Sequence, residues 1–453
     1  MTAVTAKAKR SEVPGSRGGV QAVMRLGWGV ADQGISSVSN FALGIFVARS
    51  FSASHFGAFA LAFVTYTVVI NAARGLATDP LLVRYSGDVN DRWRRATSSA
   101  SGTALAVGVV VGVLCVVAGL LLPDPLGPVY LALGVGLPGL VLQDSWRFAF
   151  FASGRGASAF ANDLFWSVLL VLVLVVMHFQ EVGSAVLCLF AFGATATLAA
   201  VLGSIQARVL PRPLRTLLWL REHRNLSVRY FLENVSISGA ALLRSFVLGA
   251  VASLAAVGYV RASEILMGPI LVLLAGLSQV AVPEASRVFY RDSTHLRRFC
   301  LILGSAQASA AATWGLILMV VFPLWPGPAL LKELWTPTAP LLLPITFTVV
   351  GISFVTAAAA GLRAMGVSRR SLRAQLTGSA AYVIGASIGA VLDGAVGTSW
   401  GVAAAMFLST LVWWYHLRAA LADHHSAVLV GDENVSGTPH KSSPREQVRR
   451  DRT

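Results

Sequence analysis

The chain is predicted to be an all-α integral membrane protein with 12 transmembrane helices in two parallel-repeat six-helix lobes. Three features of the sequence predict this: a succession of long apolar stretches, arginines concentrated in every second gap between them, and a resemblance of the first half to the second. A bilayer core takes about 20 apolar residues of helix to cross, and within lipid only helices and closed barrels satisfy their own backbone. Barrel strands alternate apolar and polar residues, which stretches such as VGVVVGVLCVVAGLLL do not. The predicted spans are 26–48, 56–78, 97–122, 129–151, 161–179, 182–205, 230–252, 258–281, 300–322, 339–361, 374–392 and 395–417.

Orientation follows from charge. Of 36 Lys and Arg, 31 fall in the two tails and alternate gaps, the pair Arg147 and Arg155 included, whereas the opposite gaps hold only Arg49 and Lys332. The basic side is the cytoplasmic one by the positive-inside rule, so both termini are expected in the cytoplasm. With 55% hydrophobic and 13% charged residues, a water-soluble fold would have nowhere to put its apolar surface. The net charge of +15 is spread over seven short segments, which suits anionic headgroups at a membrane surface and argues against nucleic acid as a partner.

The expected organisation is a basic cytoplasmic tail (1–25), an N-lobe (26–206), a basic linker (207–229), a C-lobe (230–418) and a disordered tail (419–453) whose polar, aperiodic composition cannot build a core. The halves align in four places. At an offset of 201, Asp32 meets Glu233 and Phe56-Gly57-Ala58-Phe59 meets Val257-Gly258-Tyr259-Val260. After a short gap Pro80 to Arg84 meets Pro283 to Arg287, and Ala152-Ser153-Gly154 meets Ala364-Met365-Gly366. Each half holds an even number of spans, so the copies point the same way, with a V-shaped cleft expected between them.

Polar side chains at membrane depth are costly and face a bundle interior or a wet cavity. In the first span Asp32, Gln33, Ser36, Ser37, Ser39 and Asn40 share one face. In the second, Thr67, Asn71, Arg74 and Thr78 form one stripe, and in the seventh Glu233 and Arg244 stand three turns apart, roughly 16 Å. These three helices are the expected cavity lining. Simpler roles compete: an Asp32–Arg74 ion pair, snorkelling of Arg49 to the interface, local pairing of Arg261 with Glu264, and a lipid-surface role for Asp144, Arg147 and Asp163. Arg244 lies too deep to snorkel. A guanidinium keeps its charge and donates two parallel hydrogen bonds to phosphate, which suits a diphosphate headgroup. A carboxylate in the same cleft, Asp32 or Glu233, is the candidate carrier of H+ or Na+ as coupling ion; no other cofactor is expected.

Enzymatic signatures are missing from the sequence. There is no phosphate loop of the G-x-x-x-x-G-K-[ST] type, no G-x-S-x-G elbow and no metal-ligand spacing among the histidines, and Cys115, Cys188 and Cys300 read as packing residues.

The stretch DQGISSVSNF from Asp32 to Phe41, with ARSFS at Ala48, FGAFALA at Phe56 and ARGLATDPLLVR ending at Arg84, resembles the Wzx-type oligosaccharide flippases of bacterial polysaccharide export, within the superfamily that also holds multidrug and toxin extruders and lipid II flippases. VGYVRASEILMGP, ending at Pro269, continues the resemblance in the second half. The resemblance implies that a polyprenyl-diphosphate-linked oligosaccharide is moved across the bacterial cytoplasmic membrane by alternating access through a cationic cavity. Arg49, Arg74 and Arg244 are this chain's candidates for the cations, and Asp32, Asn40, Asn71 and Glu233 for ion coupling or a polar lining. Candidate partners are the lipid-linked glycan, the bilayer and polysaccharide assembly enzymes. Asp32 and Glu233 depart from a purely cationic chamber and keep a second reading open, an H+- or Na+-coupled exporter of small cations. Twelve spans rather than fourteen argue against a lipid II flippase.

Overall fold

The computed structural model describes residues 16–436 apart from positions 88 and 182. Every regular element among the described residues is helical. The first lobe comprises α1 (Ser16–Ser50), α2 (Ala53–Ala73) continued by a π-helical turn (Arg74–Thr78) and α3 (Asp79–Tyr85), then α4 (Asp91–Leu121), α5 (Leu126–Ala152), α6 (Gly156–Phe179) and α7 (Ala185–Ala207). A linker carrying α8 (Thr216–Glu222) leads to the second lobe: α9 (Arg224–Val251), α10 (Leu254–Leu266), α11 (Gly268–Arg291), α12 (Leu296–Val320), the short α13 (Pro326–Leu331) and α14 (Trp335–Thr338), α15 (Leu342–Ala364) and α16 (Ser368–Ser436).

Ten helical stretches among the described residues are long and apolar enough to cross a membrane, which makes this a multi-pass membrane protein. Each of the twelve expected spans falls on helix, with three departures in form. The polar face of α1 keeps that helix out of the ten. The eighth span is broken at Met267, where Pro269 cannot supply a helical N–H, so α10 and α11 are separate helices. The last two spans are one continuous element, interrupted where Asp393 and Gly394 (φ +48°) leave helical geometry. Only 28% of the apolar window of α4 is buried, and Leu121 and Phe179 lie about four-fifths exposed, surface that lipid solvates and water does not.

Several expected boundaries move. The linker is shorter than 207–229, because α9 already begins at Arg224. The tail expected to be disordered from 419 is helical as far as Ser436, and α1 reaches back to Ser16 inside the expected N-terminal tail. Residues 1–15 and 437–453 lie outside the described residues.

The repeat read from the sequence reappears in backbone detail. α1 and α9 end at Ser50 and Val251, and α2 and α10 begin at Ala53 and Leu254, each pair separated by 201 positions. Further on, α5 and α15 stop in the same way. The amides of Arg155 and Val367 bond back to Phe150 and Leu362, with Gly154 (φ +70°) and Gly366 (φ +72°) supplying the left-handed residue that this helix end requires.

The lobes meet where α2 crosses α10. A Cβ on Gly57 would lie 1.7 Å from the Leu254 carbonyl oxygen, and one on the equivalent Gly258 would lie 2.8 Å from the Ala53 carbonyl oxygen. Only glycine lets these backbones approach so closely. Nearer the basic side, α9 presses on the π-helical turn, where a Cβ on Gly75 would come within 2.5 Å of the Phe231 nitrogen.

The linker is tied to that same turn. Trp219, 2% exposed, donates its indole N–H to the Leu76 carbonyl at 3.2 Å, and Ser227 Oγ donates to the same oxygen at 3.0 Å. His223 stacks on Trp219, donates from Nδ1 to the Trp219 carbonyl at 3.0 Å and accepts the Tyr85 hydroxyl at Nε2. Trp219→Ala is expected to destabilise the protein by about 3–5 kcal/mol, the range for truncating a buried large aromatic. Trp219→Phe, which leaves Leu76 bonded to Ser227, is expected to cost about 1 kcal/mol. Thermal unfolding of the two purified variants tests this order.

Candidate functional site

A cavity of about 610 Å³ lies between α1 and the second lobe. Its size is that of a small-molecule site. Most of its wall is apolar, with Phe41 from α1, Val260 and Ile265 from α10, Leu271 from α11 and Ile345 and Ile352 from α15. Hydroxyl and amide groups of Ser37, Asn40, Thr348, Tyr382, Thr398 and Ser399 interrupt it, and Arg244, Arg261 and Glu264 supply its charge.

The three charged side chains form one group. Arg244, 8% exposed, projects from α9 and donates from Nη2 to Glu264 Oε1 at 2.7 Å, while its guanidinium lies 5.7 Å from the Tyr382 ring centre. Arg261, one turn before Glu264 on α10, donates to Oε2 at 3.3 Å and covers the Phe63 ring at 4.8 Å. Two guanidiniums therefore share one carboxylate, leaving a net charge of +1 in a mostly apolar wall. The Nε atoms of both arginines are buried with no protein partner among the described residues.

The wall also contains the interrupted helix. Gly268 and Pro269 open α11 on the cavity, and Trp314 of α12 donates its indole N–H to the Leu266 carbonyl at 3.0 Å, occupying an acceptor at the break.

A second group of charged residues at membrane depth lies in the interior of the first lobe. Asp32, 0% exposed, accepts a hydrogen bond from Arg147 Nε, and Arg147 also faces Asp163 at 3.5 Å. Asp163 accepts from Gln143 at 2.7 Å, and Asn162 ties the group to the Ala199 carbonyl of α7 at 2.9 Å. Alongside, Arg74 makes a two-pronged pair with Asp144, 2.9 Å from Nε and 2.6 Å from Nη2, and stacks on Phe148. These contacts join α1, the π-helical turn, α5, α6 and α7.

Of the candidate residues, Arg244 and Asn40 line the cavity. Arg74 and Asp32 do not: each is neutralised inside the first lobe, Arg74 by Asp144 and Asp32 by Arg147, so the expected Asp32–Arg74 pair is not formed. Arg49 is exposed at the end of α1, as snorkelling requires. Asn71 contributes its carbonyl oxygen to Asn234 in the contact between lobes, where Asn234 also bonds Asp79 at 2.8 Å. Glu233 is 39% exposed and lies 3.5 Å from Arg363 of α15, outside the cavity. Among the three helices expected to line the cavity, α1 and α9 do so and α2 does not.

The lipid-surface role expected for Asp144, Arg147 and Asp163 is overturned, since all three are buried or nearly so and bridge helices. Their inclusion in predicted spans was the available signal: Asp144 and Arg147 lie within 129–151 and Asp163 within 161–179. The i, i+3 contact expected between Arg261 and Glu264 exists, but Glu264 is shared with Arg244 across helices. Tyr382 carried no signal, because an aromatic residue in an apolar span looks like packing.

The described residues thus form a polytopic helical bundle of two matched halves, with a charged cavity between α1 and the second lobe. No family model matches the chain, and no curated protein matches its sequence. Solved structures do match. A lipid II flippase, MurJ, in an inward closed conformation superposes with a TM-score of 0.66 at 11% identity, over 91% of this chain and 93% of its own. The inward-facing form of a multidrug resistance MATE family transporter of the MOP superfamily gives 0.62 at 15% identity, over 86% of this chain and 95% of its own. An outward-facing form described in the same terms gives 0.53 at 15% identity, over 89% and 95%. The chain shares the fold of the MOP superfamily transporters.

Proposed function

We propose that this protein is a flippase that carries a polyprenyl-diphosphate-linked oligosaccharide across the bacterial cytoplasmic membrane for surface polysaccharide assembly, by alternating access. The observation that carries the reading is the pair Arg244 and Arg261 sharing a single carboxylate in an apolar cavity. An isolated excess positive charge in such a place is expensive unless a negatively charged guest completes it. The fold shared with a lipid II flippase and a MATE transporter supports a translocating role. The glycan-assembly enzymes that make the cargo are the proposed partners. Export of small cations has less support, because the acid it would use, Asp32, is closed off by Arg147.

In a strain lacking the gene, undecaprenyl-linked intermediates are expected to accumulate on the inner leaflet while surface polymer is lost. Unchanged polymer with altered drug tolerance defeats the reading. Arg244→Ala is expected to lower export about 10- to 100-fold at normal protein level, the loss of one hydrogen-bonded contact to a charged group worth about 1.5–3 kcal/mol. Arg244→Lys recovers only part of that, since an ammonium cannot make the two-pronged contact. The readout is polymer per cell against immunoblotted protein.

A further inference from the structure

We infer that Glu264 is a built-in stand-in for the cargo's phosphate: it neutralises Arg244 and Arg261 while the cavity is empty, and when an anionic headgroup binds it is displaced and takes up a proton. This inference rests on the anionic-cargo reading above and assigns that site a proton linkage.

The geometry points to exchange. Glu264 bridges guanidiniums from two helices, one oxygen to each, as a phosphate would. Without it the empty cavity would hold two unpaired guanidiniums in a low-dielectric wall; with it they remain paired. The arrangement that stabilises the empty state opposes the loaded one. A diphosphate entering beside an ionised Glu264 meets a like charge a few ångströms away, in surroundings where that repulsion is strong. Protonation removes the conflict, and the neutral carboxyl can donate a hydrogen bond to the phosphate it faces.

The surroundings supply no other ion for this exchange among the described residues. Among the described residues, the titratable group near Glu264 besides Arg244 from α9 and Arg261 on its own helix is Tyr382 from α16, while α1, α11 and α15 present no charged side chain to the cavity and α2 faces the group with Ala60 and Val64. Behind the three charged residues lies a second void of about 10 Å³, lined by Arg244, Arg261, Glu264 and Ser245. That is about the space of one water molecule, and the rest of its lining, Ala60, Val64, Leu248, Val257 and Val260, is apolar.

The test uses the full-length protein in nanodiscs and farnesyl-diphospho-N-acetylglucosamine, a diester whose phosphates do not titrate near neutrality. Affinity and proton uptake are measured together in weak buffer. One proton is expected to be taken up per molecule bound, with affinity falling about tenfold for each unit the pH rises above neutrality. Glu264→Gln, which keeps the shape without the charge, is expected to bind at least about tenfold more tightly at high pH, with no pH dependence and no proton uptake. Wild-type binding without proton uptake overturns the inference, a result that needs no variant to fold. So does a folded Glu264→Gln protein that binds no better than wild type at high pH. Failure of the underlying reading looks different: the wild type does not bind the probe, or Arg244→Ala and Arg261→Ala bind it as well as wild type does.

Discussion

Arg147→Ala is expected to destabilise the first lobe by about 3–5 kcal/mol, the cost of leaving buried charges without their partner. Arg147 is the cation between Asp32 and Asp163, both essentially inaccessible to solvent, and the second oxygen of Asp32 already lacks a partner among the described residues. Removing the guanidinium strands two carboxylates among α1, α5 and α6, with only the Gln143 amide left to one of them. The expected result is a large fall in folded protein by fluorescence-detected size exclusion and a lower unfolding temperature. The triple variant in which Asp32 and Asp163 also become asparagine should recover much of the loss, because the neutral amides no longer need a counter-charge. If Arg147→Ala alone unfolds at the wild-type temperature, the cluster does not hold the lobe together.

Gly57→Leu is expected to be the most damaging change at the contact between lobes. Even the first carbon of a side chain would overlap the Leu254 carbonyl oxygen, and backbone rather than a flexible side chain would have to move. Overpacking a tight site costs about 1–3 kcal/mol and more where nothing can yield. The effects should rank Gly57→Leu, Gly57→Ala, then Gly258→Ala, whose new methyl would meet the Ala53 carbonyl at a less severe 2.8 Å. Gly276→Ala, where nothing lies within 4 Å, serves as the harmless control. Thermal stability and polymer export should fall together along the series. A Gly57→Leu protein matching the control in both measurements would mean that the crossing is not formed.

The architecture was largely legible in the sequence, because a bilayer imposes length and hydropathy on each helix separately and duplication leaves matched residues at a fixed spacing. The alignment of Gly57 with Gly258 anticipated equivalent positions that proved to face each other's chain segments. The electrostatics were legible only in part. Depth alone marks Arg244 as unable to reach water, and it lines the cavity. Which acid meets which arginine depends on the rotation and tilt of neighbouring helices, which no single-helix pattern contains. Asp32 finds Arg147, 115 residues away, rather than Arg74, and Arg74 finds Asp144. The α10–α11 break had a visible signal in Gly268-Pro269, whereas the π-helical turn at Arg74–Thr78 had none in its residue types.

The glycine crossing also carries a historical implication. Gly57 against Leu254 and Gly258 against Ala53 is the reciprocal pattern of an isologous interface, in which a patch meets its own copy across a dyad. A duplicated half that pairs with its own copy would make the same reciprocal contact, which fits the repeat read from the sequence. The matched halves now differ in where their charge lies: the first pairs Asp32, Arg74, Asp144 and Arg147 within itself, and the second sets Arg244 and Arg261 at the chamber wall.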